Sequence, residues 1–324
     1  MSEVNDILSE DFSSQNEKQS EEDKQKMLDN YIKAGQIAQS VRKDVHSLVN
    51  PGASALDIAE SIEKSILDAK AKPAFPVNIS INDVAAHYTP TFDDTLLISE
   101  KDLVKVDFGV AIDGCICDNA ISIDLSSQNT KLLEAAKLAL DNAVSAIKPG
   151  VGNGEIGKIV QDTINSFGFK PIENLTGHKL EPYNLHAGVD IPNIKTESDY
   201  YFEEGDVFAI EPFATTGVGS VQDQSQIEIF SVISDGKIRM RSSRELLINI
   251  VNSHLTLPFA KRWVMRSAKS KIVASASLRE LLNCGCLYPY PVLKEATKGL
   301  VSQFEHTVII EHDGARVIDG EINL

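Results

Sequence analysis

Positive charge is in short supply: 31 Lys and Arg stand against 47 Asp and Glu, a formal net charge of −16. A chain of that sign repels phosphate, which excludes binding to nucleic acid through its overall field. No run approaches the roughly 18 consecutive apolar residues of a membrane helix, so no membrane partner is expected. The opening MSEVNDILSEDF has neither the basic start nor the apolar core of a signal peptide, so no export is expected. Cysteine is scarce as well. Cys115, Cys117, Cys284 and Cys286 form two Cys-x-Cys pairs, a spacing that seldom bridges, and a reduced, cytoplasmic chain follows as the expectation. What is present, 42% hydrophobic and 24% charged residues over 324 positions, fits a globular protein with two domains or one large two-part core.

Residues 1–26 carry eight acidic and three basic side chains without apolar periodicity, and read as a mobile acidic tail. Helical spacing begins near Leu28 and runs through Tyr31, Ile32, Ile37, Ala38, Val41, Val45 and Leu48 to a stop at Asn50-Pro51-Gly52. Ser54-x-x-Asp57 then opens a second helix with Ile58, Ile62 and Ile66 on one side. The same pattern returns 98 residues later as Ile147-Lys148-Pro149-Gly150 followed by Ile156, Val160 and Ile164. Two helix–helix–strand units related in this way imply one sheet built from two similar halves. Residues 237–300 interrupt the second half with helical patterns, closed by Tyr288-Pro289-Tyr290-Pro291, before strand pattern resumes at Gln303.

The chemistry-bearing residues begin with a hairpin. Asp113-Gly114 is a strong turn signal between two strand-like runs. A hairpin centred there sets Asp107 opposite Ala120 and Asp118 opposite Gly109, so the two carboxylates are diagonal neighbours on one face. Such a pair either solubilises an exposed face or holds something positive. Glu211 in Val207-Phe208-Ala209-Ile210-Glu211 and Glu305 in Gln303-Phe304-Glu305-His306 lie in apolar runs with no basic residue nearby. His87, His178 and His186 stand out among seven histidines, though each alone fits a structural role. Four carboxylates and an imidazole form an oxygen-rich set suited to a pair of harder divalent ions, an arrangement used for hydrolysis. From the residues alone this is a possible two-metal site and no more.

The motifs resemble one family in order. Ala74-Phe75-Pro76-x-Asn78-x-Ser80 leads to Ala85-Ala86-His87-Tyr88-Thr89-Pro90, and the Asp107/Asp118 hairpin follows. Then come Gly177-His178, Leu185-His186-Ala187-Gly188, Phe208-Ala209-Ile210-Glu211-Pro212-Phe213-Ala214 and Gln303-Phe304-Glu305-His306-Thr307. From about Ala34 to the C-terminus the chain resembles the methionine aminopeptidases of the pita-bread (creatinase/prolidase-like) fold. The 237–300 segment, with Thr256-Leu257-Pro258-Phe259-Ala260-x-Arg262-Trp263, is similar to the helical insertion of type II enzymes, and the whole looks archaeal-like.

The resemblance implies an α+β pita-bread fold of two pseudo-symmetric halves around a curved antiparallel sheet, with residues 27–324 as the catalytic domain. It implies a dinuclear metalloaminopeptidase that takes methionine from nascent polypeptide N-termini, preferring a small second residue, by attack of a metal-bridging hydroxide. Asp107, Asp118, His178, Glu211 and Glu305 would hold two divalent ions (Co, Mn, Fe or Zn), with Asp118 and Glu305 bridging. Glu211 would shuttle the proton, His87 and His186 would contact the substrate amide, and Phe75, Leu185 and Tyr290 would line the methionine pocket. The chain would work as a cytoplasmic monomer. A prolidase or aminopeptidase P shares the five ligands, and a non-catalytic relative would lose them. Residues 237–280 hold ten basic and two acidic residues, which read first as a solvated helical face and second as a surface for transient ribosome contact.

Overall fold

The computed structural model describes residues 21–320. Its helices are α1 (Glu21–Leu48), α2 (Ala55–Asp68), α3 (Thr130–Ala146), α4 (Asn153–Ser166), α5 (Arg241–His254), α6 (Lys261–Ser267) and α7 (Lys271–Asn283). Helix α1 starts at Glu21, so residues 21–26 are helical rather than part of a tail, and the rest of the expected tail lies outside the described residues. The helix ends at Leu48 ahead of Pro51 and a left-handed Gly52 (φ 86°). Ser54 caps α2, its Oγ accepting from the Asp57 N–H at 3.3 Å.

The 98-residue offset holds element by element. Helices α2 and α4 are each 14 residues long and begin 98 apart. The short strands Lys72–Pro73 and Lys170–Pro171 follow at the same interval. Turn geometry repeats too, with Gly52 and Gly150 at φ 86° and 84°, and Lys70 and Gly168 at φ 64° and 83°.

Among the described residues, every strand pairing is antiparallel. The central hairpin, Leu103–Ile112 with Cys115–Asp124, pairs through its first strand with Asn78–Ile81 and Lys72–Pro73. In the other half, His306–Glu311 lies between Val207–Ile210 and Gly314–Val317, and Thr176–Lys179 flanks Val207–Ile210. An isolated bridge, Ala120 to Glu305, joins the halves, with the Glu305 N–H donating to the Ala120 carbonyl at 3.1 Å. Helices α1 to α4 bury apolar sides such as Ile58, Ile62 and Ile66 and Ile156, Val160 and Ile164 in one large core with these strands. This is the pita-bread fold, mixed in helix and strand around a curled antiparallel sheet.

Helices α5 to α7 lie between the long strands Val221–Val232 and Leu287–Glu295 and form a smaller core of their own with Leu247, Val251, Leu278 and Leu281. Tyr288-Pro289-Tyr290-Pro291 does not close a helix. It sits inside the strand Leu287–Glu295, paired with Ile227–Ser231. The next strand, Val84–Ala86, reaches only Leu293 and Lys294, so the proline-bearing part is an edge that needs no donor on that side.

Candidate metal centre

The hairpin register is Asp107 opposite Ala120 and Gly109 opposite Asp118, which sets both carboxylates on the face turned to the cavity. Gly109 is required by close approach: a Cβ there would lie 2.4 Å from the Phe75 ring. Glu305 stands in the break between Val301–Gln303 and His306–Glu311, where the chain passes from one sheet to another. Glu211 occupies the same kind of gap, between Val207–Ile210 and Phe213–Thr215. His178 comes from the strand Thr176–Lys179, which pairs with Val207–Ile210.

These five side chains converge on one cavity of about 180 Å³. Ligand-capable atoms of Asp118, His178 and Glu305 lie within 4.8 Å of one another. His178 Nε2 is 3.4 Å from Glu211 Oε1 and 3.7 Å from Asp118 Oδ2. Burial pushes the Asp107 carboxyl up to about 7. Burial, and then repulsion from their neighbours, raises Asp118, Glu211 and Glu305 well above the carboxylate range. Burial, with His186 beside it, lowers His178 well below the usual imidazole value. Among the described residues, Asp107 Oδ1, Asp118 Oδ1 and Glu305 Oε1 are buried without any hydrogen-bond partner. Bare carboxyl oxygens of this kind fit divalent cations, whose charge would favour the ionised, acceptor-only form.

His87, His186, Phe75, Leu185 and Tyr290 line the same cavity. Both imidazoles meet Tyr290, His87 edge-on with centroids 5.6 Å apart and His186 stacked at 6.3 Å. His87 holds a left-handed backbone (φ 65°), and its Nδ1 lies 3.1 Å from the Pro291 carbonyl. A carbonyl only accepts, so Nδ1 carries the proton and Nε2 offers a lone pair. Burial lowers His87 to about 4 and also lowers His186, so both rings are neutral at pH 7.

Other contributors carried no expected role. Gln303 Nε2 donates to both Glu211 Oε2 and Glu305 Oε2, each at 3.3 Å. Thr307 Oγ1 accepts from the Asp118 N–H at 2.7 Å and donates to the Asp118 carbonyl at 2.8 Å. Asn78 Nδ2 donates to Asp107 Oδ2 at 3.4 Å. Gln303 was discoverable from its position two residues before Glu305. Asn78 was not, because its pairing with Asp107 joins strands that share no hairpin. Cys117 is buried and does not line the cavity.

Comparison with known proteins agrees. The model of metallopeptidase family M24 matches residues 29–249. A methionine aminopeptidase of Thermococcus kodakarensis is 46% identical over 287 residues, 88% of this chain and 97% of the relative. Among solved structures, the Thermotoga maritima methionine aminopeptidase aligns at TM-score 0.67 and 20% identity, covering 91% of this chain and 97% of that one. The Pyrococcus furiosus prolidase aligns at TM-score 0.61 and 17% identity, covering 92% and 65%. The chain belongs to metallopeptidase family M24 and, within it, to the methionine aminopeptidases.

Proposed function

We propose that this chain removes the N-terminal methionine of nascent polypeptides as a dinuclear, type II metalloaminopeptidase, with the 237–300 segment, whose helices α5 to α7 precede the strand Leu287–Glu295, as the type II insertion. The observation that carries the reading is the convergence of Asp118, His178 and Glu305, beside Asp107 and Glu211, with their buried oxygens unpartnered. Those five residues would hold two divalent ions, which when bound supply Lewis acidity and a water acidic enough to attack at neutral pH. Glu211 takes the proton of the attacking water and passes it to the leaving amine. His87 Nε2, as an acceptor, takes the substrate N–H, while neutral His186 donates to the carbonyl oxygen as charge builds there, a contact worth on the order of 10²-fold in rate. Phe75, Leu185 and Tyr290 enclose the methionine side chain, and a small second residue is the proposed preference.

In Glu305→Gln we expect metal content and turnover to fall together; full activity with normal metal content would sink the assignment. Comparing Met-Gly-X with X-Pro peptides separates methionine release from a prolidase-like activity. The chain is proposed to act in the cytoplasm as a monomer. The solvated reading of the basic 237–280 segment is favoured over ribosome contact, because five of its ten basic side chains are engaged. Arg241, Lys261, Arg262 and Arg266 are ion-paired with Glu245, Glu228, Glu63 and Glu60, and Arg244 donates to two carbonyls. Among the described residues no helix is long and apolar enough to cross a membrane.

A further inference from the structure

The stretch 256–263 grips both histidine-bearing segments. At one end, Thr256 Oγ1 donates to the Tyr183 carbonyl. The Tyr183 N–H in turn donates to the Gly114 carbonyl at 3.0 Å. The loop carrying Leu185 and His186 is thereby held between the tip of the central hairpin and the helical segment. At the other end, the buried Arg262 guanidinium pairs with Glu63 of α2 and donates to Thr89 Oγ1 and, at 3.3 Å, to the Pro90 carbonyl. Thr89 Oγ1 donates to the Val77 carbonyl at 2.7 Å, and the Val77 N–H donates to Glu63 Oε1 at 3.2 Å. Trp263 Nε1 donates to Glu63 Oε2 at 2.9 Å and completes the carboxylate's partners. One buried ion pair therefore ties together the two ends of the 77–90 segment, which carries Asn78 and His87.

The gripping stretch is itself anchored. Phe259–Ala260 pairs with Phe230 and Ile229 of the long strand, and the His254 ring stacks on Phe259 and Trp263 with centroids 5.9 and 5.2 Å away. Ile229 and Pro258 both line the catalytic cavity. Each grip ends three residues from an imidazole, Tyr183 before His186 and Pro90 after His87. A buried ion pair is weak evidence for stability as such, since a well-packed apolar pair can replace it at little loss. Its geometry is the informative part.

We infer that Thr256 and Arg262 are positioning residues, each acting through one imidazole: Thr256 through His186 and Arg262 through His87. The inference rests on the proposed contact of those histidines with the substrate. Misplacing a reacting group by about 1 Å can cost 10²-fold in rate, so small slackening at either grip should be visible in kcat.

The test uses the full chain loaded with metal and the tripeptide Met-Ala-Ser. Thr256→Val and Arg262→Met are made alone and in His87→Ala and His186→Ala backgrounds. We expect each single change to lower kcat roughly ten-fold to a hundred-fold with KM and metal content little altered. The Thr256→Val penalty should vanish in His186→Ala and persist in His87→Ala, and the Arg262→Met penalty should do the reverse. Penalties that multiply in every background, or a wild-type kcat in Thr256→Val, overturn the inference. Wild-type kcat in both histidine variants would instead overturn the histidine contacts themselves. Should Arg262→Met fail to fold, the Thr256 and His186 cycle decides the matter alone, because it removes one hydrogen bond and keeps the side-chain shape.

Discussion

Thr307 shows how a neutral side chain can hold a charged one in place. It is fully buried, and its hydroxyl closes both backbone hydrogen-bonding groups of Asp118. Thr307→Val keeps the shape and strips both bonds, stranding the buried backbone donor and acceptor of Asp118, a proposed metal ligand. We expect a loss of about 1–3 kcal/mol in denaturant unfolding. Metal affinity should fall by on the order of ten-fold, since the orientation of Asp118 depends on that hydroxyl. A variant with wild-type metal titration would show that the hairpin alone fixes Asp118. Gln303 works similarly on the opposite side, where one amide nitrogen spaces two carboxylates that would otherwise repel. Arg42 completes the support from α1, its Nη1 donating to the Glu305 carbonyl at 3.1 Å and to Asn119 Oδ1 at 3.2 Å.

At the level of elements, the two halves solve the same problem with different residues. After α2 the chain turns through Lys70 in a left-handed conformation, and after α4 the equivalent position is Gly168. A Cβ is disfavoured at such a helix end and glycine is preferred. Lys70 is exposed, so burial of its side chain does not offset this. Lys70→Gly is therefore expected to stabilise the protein by roughly 0.5–1 kcal/mol, read as a higher urea midpoint at unchanged slope. The reciprocal Gly168→Lys should destabilise by a similar amount. The single strand expected from Gln303 onward shows the opposite economy. It divides at Phe304-Glu305, and this break delivers Glu305 to the cavity instead of to a ladder.

For the molecule as a whole, the dominant fact is the burial of four carboxylates in one cavity. Asp107 is raised from the ordinary 3.8 to about 7, and its three neighbours shift in the same direction. A folded-state value above the unfolded one means the folded chain holds protons more tightly between the two. The stabilising contribution is full below pH 4 and is lost as pH rises through about 7. Bound cations would remove that loss by compensating the charge. Chelation should accordingly abolish activity and lower the melting temperature more at pH 8 than at pH 6, where Asp107 is largely protonated. Calorimetry of chelated and metal-replete protein at the two pH values checks this. An equal loss at both would mean that the carboxylates do not carry the metal's stabilising effect.

The helical periodicity, the turn at Asp113-Gly114 and the 98-residue repeat determined the two halves and the register of the central hairpin, because each depends on local geometry and on which faces must be buried. Glu211 and Glu305 could be picked out because carboxylates in apolar runs without basic neighbours need a counter-charge, and Asp107 and Asp118 because they share one face of the hairpin, whereas singling out His178 among the three histidines rested on the family resemblance. Only the tertiary structure decided what supports them. Asn78 meets Asp107, Thr307 meets Asp118, and Arg262 meets Glu63 across separations of 29, 189 and 199 residues. No period or spacing encodes such pairings. They exist because closing the sheet brings distant strands within hydrogen-bonding distance, where buried polar groups must find partners.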